Sequence, residues 1–428
     1  MQQTVYDAGS RKYSFTQLDE ISGNGSFSAL PVSVEDRNGN LLNFSWSFGS
    51  ASFSMTDTLG RTLSASNFGT SGGTVTVPGL PAYTLQWTTV SPSYSVYPHA
   101  ISGNGSCGPV LTAGGTLSVI SSITLPNSEG SYTFQYDPTY GRVSQITYPT
   151  GAWIKYTWGL TDTLSEAVAY ANTTGFDQAC QYQMYAPVVR SRQVSYDGQH
   201  VALTQTFTYS TTWDAQTPLF WDSKTTIVTT TDNLRNLTAT TTYTYIPIFS
   251  PVPPNETSKL TEQLPLENTI TYKDWDGSVK RTVTKGFTGY WGDLLSMERV
   301  ALDGGQTSET DYSYAGLGWL KEKDEYDYGS SPHGGLLRKT VTNYAAFSLP
   351  IYGRPSSVIV DDGSGTRIEE TDYTYDASGL TASGVGVGHD SSYSTSQTVR
   401  GNATSMQKWV NTGGSWLTWN YTYDDTGQ

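Results

Sequence analysis

The chain has 428 residues, of which 36% are hydrophobic, 13% aromatic and only 14% charged, and its formal net charge is −14. Because an acidic chain without a stripe of Lys or Arg repels phosphates, this balance argues against a nucleic-acid partner. No apolar run approaches the ~20 residues of a membrane-spanning helix, and the first residues lack the parts of a secretory signal. The 30 Tyr, 12 Trp and 43 Gly predict an all-β protein without a membrane span.

Alternating aromatic residues recur along the chain, separated by short turns that contain glycine. The first copies span residues 36–48 and 53–61, the second of which includes the turn Asp57-Thr-Leu-Gly60-Arg61. Side chains spaced by two lie on one face of a strand. Glycine supplies the positive φ that a tight turn requires. The repeating unit is therefore strand, turn, strand.

Residues 131–158 hold the best-preserved copy of this unit. Its first alternating run ends at Tyr136-Asp137, its turn contains Gly141-Arg142, and its second run reaches Trp158. The hexapeptide Ile21–Ser26 recurs as Ile101–Ser106, and the same offset carries Asp57 onto Asp137. This shared register favours a duplication of about 80 residues.

Further copies follow at lower fidelity in the second half of the chain. They are Tyr243 and Tyr245, Tyr312 and Tyr314, Tyr373 to Gly379 with Tyr375-Asp376, and Trp419 to Gly427 with Tyr423-Asp424. Hairpin turns are predicted at Asn38-Gly39, Asp197-Gly198, Asp276-Gly277, Asp303-Gly304 and Asp362-Gly363. The Thr-rich runs Thr225–Thr231 and Thr238–Tyr245 are β-branched and predict strands. Recurrence of one small unit is typical of a repeat architecture.

These motifs resemble the YD repeats of the Rhs family, which also occur in teneurins and in shell subunits of insecticidal toxin complexes. The closest match is Tyr136-Asp-Pro-Thr-Tyr-Gly-Arg142 followed by Tyr148-Pro149-Thr-Gly151. Asp57, Gly60 and Arg61 keep the Asp and the Gly-Arg, whereas Tyr375-Asp376 and Tyr423-Asp424 keep the Tyr-Asp and lose the Arg. The resemblance implies an array of antiparallel hairpins that forms a large curved or spiralling sheet, part of a cocoon-like shell around another polypeptide.

Full-length Rhs proteins carry a core segment with an Asp-Pro-x-Gly type motif that releases a C-terminal toxin by self-cleavage. Asp376-Ala-Ser-Gly379-Leu380 lacks the proline, and Asp137-Pro138 belongs to an ordinary repeat. The resemblance therefore implies that the partners are further YD repeats or a core or toxin segment of a longer chain. We expect this chain to lack both the protease and the toxin.

Four segments are predicted: YD repeats over 1–170, degenerate β repeats over 171–245, a Pro-rich loop or linker over 246–256, and YD repeats over 257–428. Proline cannot donate to a strand ladder, so Ile246–Asn255 is predicted to be a loop or an edge. Leu164–Ala171 suits a short helix behind a Thr163-to-Glu166 capping box and suits a strand equally well.

The sequence stops at the turn Tyr423–Gln428, before a returning strand. Because an unpaired strand exposes its backbone groups, we expect a fragment of a longer array that is secreted or lies at a cell surface. The localisation of the chain itself stays open.

No set of residues indicates catalysis, a cofactor or a metal. His99, His200, His333 and His389 share no spacing and are predicted to lie in surface loops. Gly384–Gly388 reads as a flexible hairpin loop, and Asp274–Gly277 reads as a turn, since Lys285 stands where a calcium loop needs Glu. Cys107 and Cys180 could form a disulfide or remain buried thiols.

Two functions remain open. The first is a non-enzymatic, Rhs-like shell segment that encapsulates a polypeptide or toxin. The alternative is a cell-surface adhesion or carbohydrate-binding module, because Trp and Tyr faces also stack on sugars. Solvent exposure of Trp153, Trp158, Trp416 and Trp419 discriminates between packing and glycan binding.

Overall fold

A computed structural model describes most of the chain. The described residues are 3–7, 11–15, 19–20, 27–28, 30–47, 51–96, 99–102, 111–161, 169–172, 181–184, 186–215, 221–249, 263–289, 292–316, 318–330, 332–349 and 351–428. The predicted duplication at 21–26, most of its second copy, both cysteines and the Thr163-to-Glu166 capping box lie outside these ranges.

Nearly all regular structure in the described ranges is β. The strands are β1 (Gln3–Tyr6), β2 (Lys12–Phe15), β3 (Asp19–Glu20), β4 (Phe27–Ser28), β5 (Pro31–Glu35), β6 (Leu41–Ser47), β7 (Ser52–Thr56), β8 (Thr62–Ser66), β9 (Gly73–Thr76), β10 (Tyr83–Val90), β11 (Tyr94–Val96), β12 (His99–Ser102), β13 (Leu111–Ala113), β14 (Leu117–Thr124), β15 (Ser131–Tyr136), β16 (Val143–Thr147), β17 (Trp153–Leu160), β18 (Ala169–Asn172), β19 (Gln181–Met184), β20 (Pro187–Ser195), β21 (Leu203–Trp213), β22 (Trp221–Asp232), β23 (Leu237–Phe249), β24 (Gln263–Lys273), β25 (Val279–Thr288), β26 (Leu294–Leu302), β27 (Thr307–Ala315), β28 (Trp319–Gly329), β29 (Leu336–Tyr344), β30 (Pro355–Asp362), β31 (Arg367–Tyr375), β32 (Leu380–Thr381), β33 (Ala403–Val410), β34 (Ser415–Asn420) and β35 (Tyr423–Asp424). A single 3-10 turn spans Pro126–Ser128.

The all-β fold class is confirmed, and 26 of these strands belong to one antiparallel sheet. Neighbouring strands pair in hairpin order through β5 to β10, through β20 to β27 and through β29, β30, β31, β33 and β34. The Thr-rich runs lie in β22 and β23, as predicted. None of the described segments forms a helix of the length and apolarity that a membrane crossing requires.

The chain forms two compact units. The first comprises residues 1–85, 313–325 and 336–428, and the second comprises 86–312 and 326–335. These bounds differ from the four predicted segments, because strands distant in sequence pack into the same unit. Residues 169–171, left open between helix and strand, lie in β18.

The predicted Pro-rich loop begins later than expected. Ile246–Phe249 continue β23 and pair with β24, where Pro247 stands opposite Pro265. These four positions are therefore not a loop; the pairing of β23 with β22 ends at Tyr245, so they pair on one side only, as the alternative prediction of an edge requires. Two prolines opposite each other remove donors from the same point of the ladder, and a register shift between Thr244 and Tyr245 precedes them.

A glycine with positive φ lies in each predicted hairpin turn, but the Asn-Gly and Asp-Gly dipeptides identify the right glycine at only three of the five turns. Gly39, Gly198 and Gly277 have φ of 83°, 79° and 77°, as expected. At the other two turns the residues with positive φ are Gly305 and Gly365, at 78° and 82°, and not the first glycine of the predicted pair. At Gly39, Gly277, Gly305 and Gly365 the glycine N–H donates to the carbonyl three residues earlier, so the fourth residue of each hydrogen-bonded turn has the left-handed conformation that glycine adopts without strain.

The strands are half-buried along most of their length. Every residue of β26 and of β30 has intermediate exposure, with no alternation between a buried and an open face. Among the described residues only eleven hydrophobic residues are buried, Trp153 and Trp221 being the largest, at 7% and 3% exposure. Ordinary domains bury one sheet face against a second layer; β26 and β30 do not show that pattern, whereas intermediate and exposed residues alternate along much of β21.

Ion pairs join neighbouring strands, and Glu325 has two cationic partners. Its carboxylate lies 2.6 Å from Arg338 Nε and 2.9 Å from Lys323 Nζ. The hydrogen bond from Arg338 is the main reason why the pKa of Glu325 falls to about 2. A depressed folded pKa contributes stability above the unfolded carboxyl value of about 4.3, and that contribution disappears as the pH falls toward about 2.

Glu325→Gln should therefore lower the free energy of unfolding by about 1 kcal/mol at neutral pH. Urea unfolding followed between pH 7 and pH 2 measures the difference from wild type, which should shrink to zero at the acid end. Glu369→Gln is the control, because its pair with Lys408 is about half exposed on both sides and should contribute less. An effect of Glu325→Gln that does not change with pH would contradict this assignment.

Candidate functional site

Four aspartates form the same five-residue turn at a strand end. At Asp36, Asp57, Asp362 and Asp424 the backbone N–H donates to the carbonyl four residues later, and a glycine N–H three residues later donates back to the Asp carbonyl. The Oδ1 atom of each accepts the N–H groups two and four residues later. Gly60 and Gly427 hold φ of 73° and 82° in two of these turns. The aspartate carboxylate thus accepts hydrogen bonds from backbone N–H groups of the turn, which have no partner in the strand ladder.

The best-preserved sequence copy has a longer version of this turn. Asp137 N–H donates to the Arg142 carbonyl over 2.7 Å, and Gly141 N–H donates to the Asp137 carbonyl over 2.8 Å. Asp137 Oδ1 accepts from Thr139 and Tyr140 N–H. In the shorter turn Arg61 Nε bonds Asp57 Oδ2 at 2.7 Å, so that arginine pairs with the aspartate of its own turn.

The tyrosines of the Tyr-Asp pairs donate hydrogen bonds that the sequence does not reveal. Tyr136, Tyr375 and Tyr423 hydroxyls donate to the carbonyls of Ile120, Pro355 and Ala403, at 2.7, 2.7 and 2.9 Å. Tyr209 and Tyr344 make the same contact with Val189 and Leu320. For Tyr136 and Tyr375 the acceptor lies on the preceding strand. The alternating spacing predicted that these rings pack against the sheet. It gives no information about which backbone carbonyl accepts the hydrogen bond from each hydroxyl.

Tyr375→Phe should lower the free energy of unfolding by about 1 kcal/mol, because it leaves the half-buried Pro355 carbonyl without this donor. Tyr373→Phe is a matched control on the same strand, since the described residues include no hydrogen-bond partner for its hydroxyl and its ring stacks on Tyr375. Urea unfolding of both variants measures the difference. Equal losses would show that the hydroxyl contact is not the source.

Asp376 has a different role from the other motif aspartates. It has a φ of 55°, and its carboxylate accepts the N–H groups of Arg400, Gly401 and Asn402 at 3.0, 2.8 and 2.9 Å. Gly379 is exposed and lacks a positive φ, so Asp376 and Gly379 do not form the turn seen at Asp57. Asp376 instead holds a segment that is distant in sequence.

That segment begins with Arg400, the largest fully buried side chain among the described residues. Its guanidinium donates to four backbone carbonyls: Gln397 at 2.6 Å, Asn38 at 2.7 Å, Ser394 at 2.9 Å and Asp425 at 3.0 Å. The Tyr393 ring lies 5.0 Å away. We call this cluster of residues 36–40, 388–402 and 424–427 the Arg400 junction. It joins the beginning and the end of the chain inside the first unit.

His389 belongs to the Arg400 junction and is not a surface loop residue. Its Nε2 lies 3.0 Å from both the Asn38 and Asp425 carbonyls, the same two acceptors that Arg400 uses. The prediction of a surface position is wrong here, because a half-buried backbone pocket surrounds the ring. His200 is exposed and bonds Asp197 at 2.7 Å, and His333 stacks on Tyr326.

Glycines allow the backbones of the Arg400 junction to approach closely. Gly388 has a φ of 69°, and a Cβ at this position would lie 2.9 Å from Thr58 Cα. Its carbonyl accepts Leu41 N–H at 2.7 Å. The end of the predicted flexible loop 384–388 is therefore anchored, which corrects the sequence-based interpretation.

The last turn also differs from expectation. Tyr423–Asp424 pair in parallel with Leu380–Thr381, and Asp425 N–H donates to the Thr381 carbonyl at 2.8 Å. The side chain of Thr426 is 5% exposed. The strand before this turn therefore has a partner, which is a short parallel strand at residues 380–381 and not the returning strand of a hairpin.

Hydrogen bonding and burial shift the pKa values of charged side chains in and around the Arg400 junction. A hydrogen bond from the Ser383 side chain lowers the pKa of Asp425. Burial lowers the pKa of Arg37 and of Arg400, although a guanidinium remains charged under any ordinary condition. The donors of Arg400 all point to backbone carbonyls, which suits a structural clasp. In the described part of the chain, no group of His, Cys, Asp and Glu is arranged to hold a metal ion.

The four tryptophans whose exposure discriminates between packing and glycan binding fall into two classes. Trp153 is 7% exposed, and Trp158 is half-buried with its Nε1 donating to the Val143 carbonyl at 2.9 Å. Trp416 and Trp419, both on β34, are 39% and 41% exposed. Packing explains the first pair, and the second pair is accessible to a ligand.

No known family model matches this sequence, and no curated protein matches it.

Proposed function

We propose that this chain is a non-enzymatic segment of a YD-repeat shell that walls off a polypeptide segment such as a toxin. The observation that carries the proposal is the half-burial of whole strands, of which β26 and β30 are examples. Strands of intermediate exposure gain stability when another polypeptide covers them and buries their remaining apolar surface.

The Tyr-Asp motifs support a structural role. The Tyr136 hydroxyl and the Asp137 carboxylate both bond backbone groups of the sheet, and Asp424 does the same in the last turn. Groups engaged in this way hold hairpins in register. In this proposal the tyrosines and aspartates of the repeat stabilise the sheet that forms the shell.

The decisive experiment is limited proteolysis of the complete gene product that contains residues 1–428. We expect a segment outside these residues to resist protease at least tenfold longer than the same segment expressed alone, and to lose that protection when urea opens the sheet. The isolated segment, mixed with residues 1–428 after folding, is the control. A segment digested at the same rate in both settings, or a reading frame without any further segment, would contradict encapsulation.

A second candidate function is glycan binding by the exposed tryptophans of β34. Trp416 and Trp419 present accessible rings at 39% and 41% exposure, and such rings stack on sugars. A glycan array on the purified chain tests this function. Binding that Trp416→Ala and Trp419→Ala abolish, while Trp158→Phe leaves it intact, would favour the adhesion module over the shell.

A further inference from the structure

A pocket in the second unit lies at one end of the neighbouring strands β17, β20 and β21. It has a volume of about 390 Å³, which is within the ~300–1,000 Å³ range of small-molecule sites. Its border runs from the turn that contains Tyr148 and Thr150, through the start of β17, to the last residues of β20 and the first residue of β21. All of these residues belong to one compact unit. Strand pairing inside that unit therefore shapes the pocket.

Three aliphatic side chains stand side by side at the border of the pocket. Ile154 is directly opposite Val194, and Val194 is directly opposite Leu203. Residues opposite each other in antiparallel strands share a face, so these three form a continuous apolar row. Val194 is buried, whereas Ile154 and Leu203 are half-buried. The row offers hydrocarbon contact and no hydrogen-bonding side chain.

Arg192 brings a cation to the border of the same pocket. It precedes Val194 by two positions on β20, and side chains spaced by two lie on one face of a strand. Its Nη1 donates to Gln205 Oε1 at 2.9 Å, and Gln205 Nε2 donates to Thr230 Oγ1 at 3.2 Å. This neutral chain of hydrogen bonds holds the guanidinium beside the apolar row.

Arg192 has no anionic partner among the residues that the structure describes, and the acceptor of its guanidinium is the neutral Gln205 amide. Other arginines each lie within ion-pair distance of an aspartate or a glutamate, namely Arg11, Arg61, Arg235, Arg299, Arg338 and Arg367. A guanidinium carries several N–H donors in a planar fork that matches a carboxylate. Arg192 is thus a half-buried cation with further donors for an anion.

Two other side chains at the border narrow the class of ligand. The Tyr148 ring packs against Tyr132, with ring centroids 5.6 Å apart, so it is held in place as an aromatic wall. The Ser195 hydroxyl donates to Asp197 Oδ1 at 3.0 Å, and Ser195 is 0% exposed. Removing hydrocarbon surface from water is favourable, whereas polar groups buried without hydrogen-bond partners are costly. The pocket therefore suits a hydrocarbon body better than it suits a sugar ring with several hydroxyls.

We propose that this pocket binds a small hydrophobic carboxylate, with the carboxylate on the Arg192 guanidinium and the hydrocarbon body over Ile154, Val194 and Leu203. Arylalkanoic acids combine the anion, the apolar chain and the aromatic ring that these groups and Tyr148 match. This inference is independent of encapsulation, because it uses neither the Tyr-Asp turns nor the exposed tryptophans of β34.

Isothermal titration of the full chain with hydrocinnamate tests the proposal. Hydrocinnamyl alcohol is the neutral probe with the same body, and acetate is the anionic probe without that body. We expect saturable hydrocinnamate binding and at least tenfold weaker binding of both other probes. This comparison uses the wild-type chain alone, so it remains decisive if a variant does not fold.

Three variants locate the binding. Arg192→Gln removes the charge and keeps a hydrogen-bonding partner for Gln205, and it should weaken hydrocinnamate binding at least tenfold. Arg192→Lys should retain part of the affinity, because an ammonium keeps the charge and loses the planar fork. Leu203→Ala should weaken binding at least threefold through loss of apolar contact.

Arg281→Gln is the matched control, since it removes an arginine of the same unit that lies 5.6 Å from the Tyr272 ring centroid and does not border the pocket. It should leave hydrocinnamate binding unchanged. Hydrocinnamate that does not saturate the folded chain, equal binding of the alcohol or of acetate, or a folded Arg192→Gln variant with unchanged affinity would each overturn the proposal. So would an equal loss in Arg281→Gln, because the effect would then come from net charge and not from the pocket.

Discussion

Replacing Arg400 by methionine is expected to lower the free energy of unfolding by about 3–5 kcal/mol. The guanidinium is 0% exposed and donates to four carbonyls from three separate segments. Methionine fills similar space and donates nothing, so buried acceptors lose a charged partner. Urea unfolding followed by tryptophan fluorescence measures the loss.

Two further variants isolate the cause of this loss. Arg61→Met removes an arginine that pairs with Asp57 in a turn and whose side chain is 64% exposed, and it should change stability by less than about 1 kcal/mol. Arg400→Lys should recover little of the loss, because an ammonium cannot reach acceptors in the fork geometry of a guanidinium. An Arg400→Met variant as stable as Arg61→Met would refute a structural role for the Arg400 junction.

Gly388→Ala is expected to lower the free energy of unfolding by about 2–5 kcal/mol. The left-handed conformation alone costs a side chain about 1–2 kcal/mol, and overpacking adds about 1–3 kcal/mol. The new Cβ would lie 2.9 Å from Thr58 Cα and 3.0 Å from the Asp57 carbonyl, and both are backbone atoms with little freedom to move. Thermal and urea unfolding of the variant measure the sum of these two terms.

Gly60→Ala separates the two terms. Gly60 has a φ of 73°, close to the 69° of Gly388, but nothing lies within 4 Å of its added Cβ. Its loss should therefore be the conformational part alone, about 1–2 kcal/mol. Equal losses at both positions would mean that the contact between Gly388 and Thr58 does not constrain the fold.

Local patterns predicted the strands well and the long-range contacts poorly. The Thr-rich runs and the Asp-x-x-Gly turns depend on neighbours in sequence, and the structure places them in β22, β23 and the turns at Asp57 and Asp424. The sequence could not decide between a loop and an edge for Pro247, because its partner, Pro265, lies on a strand whose register the sequence does not specify. Tyr375 was assigned to packing, since periodicity gives the face of a ring and not the acceptor of its hydroxyl.

The sequence by itself determined the all-β class, the hairpin unit and the aspartates that organise its turns, because strand alternation and turn geometry depend on residues a few positions apart. Only the tertiary structure decided that Arg400 and His389 bond the carbonyls of Asn38 and Asp425. It also placed the Lys224 ammonium 5.6 and 5.2 Å from the ring centroids of Trp213 and Trp221. Both sites join residues through strand pairing and close backbone approach, and those depend on the whole fold and not on any local pattern.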